Sequence, residues 1–75
     1  MENIELNILN EQIDFYYREK VKLHIDLKDG IFLNGFILKN IKQDIWKMKE
    51  DKLGEIFLFT KTIAKLYKYI DKEKK

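Results

Sequence analysis

The side chains that most often do chemistry are scarce in this chain. There is one histidine, His24, and no cysteine. The lack of cysteine excludes disulfides and thiolate metal sites, and a lone imidazole cannot build a structural zinc site. The acids Asp26, Asp29, Asp44 and Asp51 are scattered around turns and strand ends, without the paired carboxylates of general acid–base work. No phosphate-binding loop is present. The expectation is a non-enzyme with no metal and no cofactor. What remains is charge. Residues 1–20 carry five acids against two cations, whereas residues 21–75 carry thirteen lysines against eight acids. The basic portion could attract a polyanion, and a lysine-rich solvated surface is the plainer account of the same composition.

These side chains must be positioned by a single small domain, 1–75. A core of this size is marginal, since a domain of roughly 60 residues buries only about 60% of its unfolded surface. Disulfides and metal are excluded, so self-association is the remaining form of help. No segment approaches the ~20 apolar residues of a membrane span. The acidic N-terminus does not read as a signal peptide, so a cytoplasmic protein without a membrane is expected.

Leu6, Leu9, Ile13 and Tyr16 recur at helical spacing. Asn10, followed by Glu11 and Gln12, resembles an N-cap, which predicts a lead-in over 1–9 and a helix over 10–20. From Val21 the period becomes two: Val21, Leu23, Ile25 and Leu27 alternate with polar residues in a strand with one buried face. Asp29-Gly30 predicts a two-residue hairpin turn with both residues left-handed. The next run, IFLNGFILK (31–39), is apolar on both parities, so both faces are covered or one awaits a partner. Gly35 inside it marks a bend or a close backbone approach. Residues 44–50 and 55–59 read as a third and fourth strand around a DKLG turn. Trp46 and Met48 share one face of the third, as core or subunit contact. In 60–70, Ile63, Leu66, Tyr67 and Ile70 fit a helix, yet length and aromatic content fit a strand equally well. Residues 71–75 read as a disordered tail.

The stretch YYREKVKLHIDLKDGIFLNGFILKNI (16–41) resembles the Sm-like superfamily, and within it the bacterial host-factor (Hfq-type) RNA chaperones. What carries the resemblance is a basic helix end, an alternating strand, an Asp-Gly turn and a glycine five residues later. The register holds without a gap from about Leu9 to Gly35 and continues more loosely to about Tyr69. The resemblance implies a mainly β fold: an N-terminal α-helix, then a five-stranded, strongly bent antiparallel Sm-like (SH3-like) barrel over 21–70. It also implies a homo-oligomeric ring, usually a hexamer, in which the fourth strand of one subunit pairs with the fifth of the next. The doubly apolar EIFLF (55–59) would lie at that junction.

The resemblance further implies single-stranded A/U-rich RNA as partner, in post-transcriptional regulation that includes stress responses. Three surfaces carry over. At the rim, Tyr17, Arg18 and Lys20 stand where the family has an arginine-rich patch; cations there contact phosphates and a tyrosine can stack on a base. Helix-dipole compensation explains the same cations. At the pore, Phe59-Thr60-Lys61-Thr62-Ile63 replaces the family's tyrosine-lysine-histidine-alanine-isoleucine run that cups uridines. Thr60 and Lys61 are the candidates there, with Lys42 and Gln43 from the preceding loop. On the distal face Gly30, Ile31, Leu33 and Asn34 match the purine-tract site, but Asp26 replaces its stacking aromatic. His24 reads as an exposed strand position, and Tyr67 and Tyr69 as base-stacking or interface residues. Two rivals stay open: an oligomeric ring that binds a partner without RNA specificity, and an unrelated α+β domain whose residues 60–72 form a helix.

Overall fold

The computed structural model describes residues 4–70, so the expected tail at 71–75 lies outside the described residues. The chain runs α1 (Ile4–Glu19), β1 (Leu23–Leu27), β2 (Phe32–Lys42), β3 (Ile45–Glu50), β4 (Gly54–Phe59), a 3-10 turn (Thr60–Thr62) and β5 (Ile63–Lys68). All five strands belong to one antiparallel sheet in the order β4-β3-β2-β1-β5. This is the strand layout of the Sm-like fold behind its N-terminal helix. The sheet is not closed into a barrel: β4 and β5 are its two edges and do not pair with each other.

The short link between those edges dictates the curvature. Four strand spacings of about 4.8 Å would put the edges of a flat sheet about 19 Å apart. The four Cα steps from Phe59 to Ile63 include a 3-10 turn, which rises only about 2 Å per residue. They cannot bridge a flat sheet. The sheet must therefore curl until its edges approach, and the result is an open barrel.

The helix corrects the expected lead-in. It begins by Ile4, two turns before Asn10, so Asn10 is an interior helix residue and not a cap. Its side chain is occupied elsewhere. Asn10 Nδ2 donates to Asp44 Oδ1 (2.5 Å), and Asn10 Oδ1 accepts from Trp46 Nε1 (2.9 Å) and Thr60 Oγ1 (2.7 Å). A residue with cap chemistry thus bolts the helix to the sheet, while Leu9, Ile13 and Tyr16 pack on the core. The helix ends as Lys20 turns left-handed (φ 57°), with Lys20 N donating to Tyr17 O and Val21 N to Tyr16 O.

The β1–β2 connection also differs from expectation. Gly30 alone is left-handed (φ 92°), while Asp29 is not. Gly30 N donates to Leu27 O, Leu27 N to Ile31 O, and Ile31 N to Asp29 Oδ1. Three residues, 28–30, make the loop, and such a loop needs only one left-handed position. Gly35 does mark a close approach. It sits opposite Leu23 and Glu50, and a Cβ there would lie 2.0 Å from the Lys49 carbonyl oxygen.

The last segment is a strand, and a bulge explains its helical look. Asp26 pairs with Lys65 but Leu27 pairs with Ile63, leaving Ala64 as an extra residue. Ile63 and Leu66, three apart, therefore face the same interior. Leu38 and Ile41 are skipped in the same way along β2, and both are exposed. The core is Ile13, Leu23, Ile25, Leu33, Ile37, Trp46, Met48, Leu58 and Ile63. Trp46 and Met48 are thus core residues.

At the end of β3 the Glu50 carboxylate is buried and accepts from Asn34 N (3.0 Å), Lys52 N (2.8 Å) and Leu53 N (2.8 Å). Burial pushes its pKa up, but these three N–H groups and nearby Lys52 outweigh burial and hold it below the ordinary glutamate value.

Candidate nucleic-acid interface

The β2–β3 turn and the 60–62 turn lie side by side, joined by Thr60 N donating to Asp44 O (3.0 Å). The fold therefore brings together the residues read as a pore: Lys42, Gln43 and Lys61 are all exposed at this end. Thr60 is not available to a ligand. It is fully buried, and its hydroxyl is committed to Asn10. Threonine here serves the fold, which is a correction to its reading as an RNA contact. Lys61 also borders an apolar groove of about 510 Å³ whose walls include Ile31, Leu53, Phe57 and Phe59.

At the rim, Tyr17 is exposed and tilts against Trp46, 6.5 Å between ring centroids. Arg18 is exposed and ion-paired with Asp14 one helical turn away (2.8 Å). Lys20 follows at the left-handed helix end. Together with Phe36 and Leu38 of β2, these three residues line a groove of about 700 Å³. The rim thus offers cations beside exposed apolar surface, with one cation partly neutralised.

The distal set does not converge. Leu33 is buried in the core, so it presents nothing to a ligand. Ile31 is exposed, and the Gly30 N–H is used inside its own turn. Asn34 Oδ1 lies 2.6 Å from His24 Nδ1, and Asp26 Oδ1 lies 2.9 Å from His24 Nε2. Asp26, where an aromatic was wanted, is therefore held by a neighbour on its own strand.

Sequence reasoning missed what those contacts support. His24 is half-buried, not an open strand position, and its ring stacks between Phe32 (5.4 Å, 28°) and Tyr67 (5.8 Å, 29°). The row crosses three strands on the outer face of the sheet. His24 is directly opposite Tyr67 and diagonal to Phe32, a relation that only the strand register reveals. Tyr69 sits under the Lys22 ammonium (4.4 Å), which also pairs with Asp51. Asn10 was missed as well; polar spacing within a helix gives no sign of partners 34 to 50 residues away.

Among the described residues no helix is long and apolar enough to cross a membrane. No protein-family model and no curated protein matches the chain.

Proposed function

We propose that the chain is an RNA-binding protein of the Sm-like, Hfq-type kind, acting in the cytoplasm as a homo-oligomeric ring on single-stranded A/U-rich RNA. One observation carries the reading. The β4-β3-β2-β1-β5 sheet behind an N-terminal helix leaves two unpaired edges, and both display exposed aromatics: Phe57 and Phe59 on β4, Tyr67 on β5. Pairing β4 of one copy with β5 of the next would close a head-to-tail ring, hexameric by resemblance, and leave no open edge. Lys61, Lys42 and Gln43 would then be repeated around one end, and Tyr17, Arg18 and Lys20 around the rim. Weak phosphate contacts would add by avidity. Such a ring would serve as an RNA chaperone in post-transcriptional control.

Light scattering combined with fluorescence anisotropy on short A-rich and U-rich RNA tests this. An oligomer whose RNA affinity falls steeply with salt is expected. A monomer, or an oligomer with no anisotropy change at low salt, refutes it.

A second reading, a ring that binds a protein partner, is favoured by the apolar groove beside Lys61. Its residues Ile31, Leu53 and Phe57 are each more than half exposed. The double variant Arg18→Glu/Lys42→Glu, which leaves the groove lining untouched, separates the two readings. An RNA binder loses affinity and keeps its ring, whereas partner binding through the groove survives.

A further inference from the structure

The outer face of β2, β3 and β4 carries a pattern that folding alone disfavours. Lys39 of β2 is directly opposite Lys47 of β3, and Lys49 follows two residues along on the same face. Like charges directly opposite on adjacent strands destabilise a sheet. Glu55 on β4 is directly opposite Lys49, yet its carboxylate pairs with Lys47, at 3.1 Å. Lys39 and Lys49 have no carboxylate partner among the described residues. Two phenylalanines are set among these lysines. Phe36 is opposite Lys49 and 43% exposed; Phe57 is opposite Lys47 and 58% exposed. The arrangement alternates ammonium groups and exposed rings across the outer surface of the curved sheet.

Resting on the RNA-binding reading, we infer that this sheet face is a further single-stranded RNA contact, in which Lys39 and Lys49 engage phosphates and Phe36 stacks on a base. Charge complementarity selects the occupant. Unpaired lysines at strand spacing call for a polyanion, and exposed rings between them call for unstacked bases, a combination typical of single-strand binding. A duplex would satisfy the lysines and leave the rings without partners, because its bases are stacked inside. Phe36 also borders the helix-end groove, and neither that groove nor the pore supplies Lys39 or Lys49, so the face extends the RNA path beyond both.

The test measures anisotropy of labelled 12-nucleotide oligo(A) and oligo(U) RNA over a salt series starting near about 50 mM. Single-strand binding loses about 0.7 of salt slope per phosphate contact removed. The double variant Lys39→Gln/Lys49→Gln should therefore weaken binding and flatten the log–log slope by about 1.4. Phe36→Ala should weaken binding by about 5- to 150-fold, the range for one lost stack, with the slope unchanged. The urea midpoint of the lysine variant should hold or rise, because the Lys39–Lys47 repulsion is gone. A merely structural role would lower it. If wild-type protein binds RNA and the lysine variant keeps both affinity and slope while Arg18→Gln/Lys61→Gln loses them, the inference is overturned and the RNA reading stands. If wild-type protein binds no RNA, both fall. If the lysine variant loses binding to phosphatidylserine vesicles but not to RNA, the face belongs to a membrane surface and the inference is again overturned.

Discussion

Replacing Asn10 with alanine should cost this domain a large part of its stability. Among the described residues Asn10 is the one side-chain acceptor for Trp46 Nε1 and Thr60 Oγ1, and it donates to Asp44. Trp46 is 4% exposed and Thr60 is fully buried, so water cannot take over either bond without opening the core. A buried donor left unsatisfied costs about 1–3 kcal/mol. The Thr60 hydroxyl can rotate toward another acceptor, so the indole N–H sets the floor. Alanine returns up to about 0.7 kcal/mol of helix propensity. Taking the middle of that range, about 2 kcal/mol, for the indole alone, the net loss is at least about 1.3 kcal/mol, against a total of about 4–11 kcal/mol expected for a chain this size. With a urea slope of about 1 kcal/mol/M, the midpoint falls by at least about 1 M. Trp46 is the only tryptophan, so its fluorescence follows unfolding and also reports the altered indole environment. Asn7→Ala is the control, because Asn7 is exposed on the same helix. If both alanine variants unfold at the same urea concentration, the polar bolt between helix and sheet contributes nothing and the reasoning fails.

Gly35→Ala should be worse tolerated than any surface change, by about 3 kcal/mol or more, because the new methyl meets the Lys49 backbone and not a movable side chain; circular dichroism melts check this. Glu50 makes stability acid-sensitive. Its folded pKa is depressed, so its contribution is complete above the unfolded value of about 4.3 and is lost as pH falls through the lower folded value. In Glu50→Gln the fall in urea midpoint below about pH 5 should flatten, at a cost of about 1–3 kcal/mol at pH 7; an unchanged acid limb would contradict the assignment. Lys20→Gly should raise stability by about 1 kcal/mol by relieving a left-handed lysine, while Lys20→Val lowers it, both read by thermal melts. If Lys20 also contacts RNA, the glycine variant becomes more stable and binds less.

The fold was legible where a strand keeps a strict period or a residue has one physical use. β1 declared itself through Leu23, Ile25 and Leu27, and Gly35 through its place in an apolar run. Legibility failed where an extra residue shifted the phase. The bulge at Ala64 set Ile63 and Leu66 three apart and imitated a helix. It failed again at Asn10, whose side chain suits a helix cap and a tertiary hub equally. Of the candidate site, the exposed cations Arg18, Lys20, Lys42 and Lys61 could be named from sequence. Burial of Thr60 and Leu33 could not, because both depend on which strands cover them. The Phe32–His24–Tyr67 row and the Lys39–Lys47 pair are products of register, and no single strand contains them.

The open edge at β4 has a consequence for handling the protein. GEIFLF (54–59) is a six-residue, proline-free strand with Glu55 as its only charge, and its outer edge pairs with no other strand among the described residues. That composition is the signature of segments that stack into cross-β fibrils. In the proposed ring, β5 of a neighbouring copy would cover it. For such a ring mass action would reverse the usual rule for aggregation-prone proteins: dilution, by stripping the covering strand away, would expose the template, and concentration above the assembly threshold would shield it.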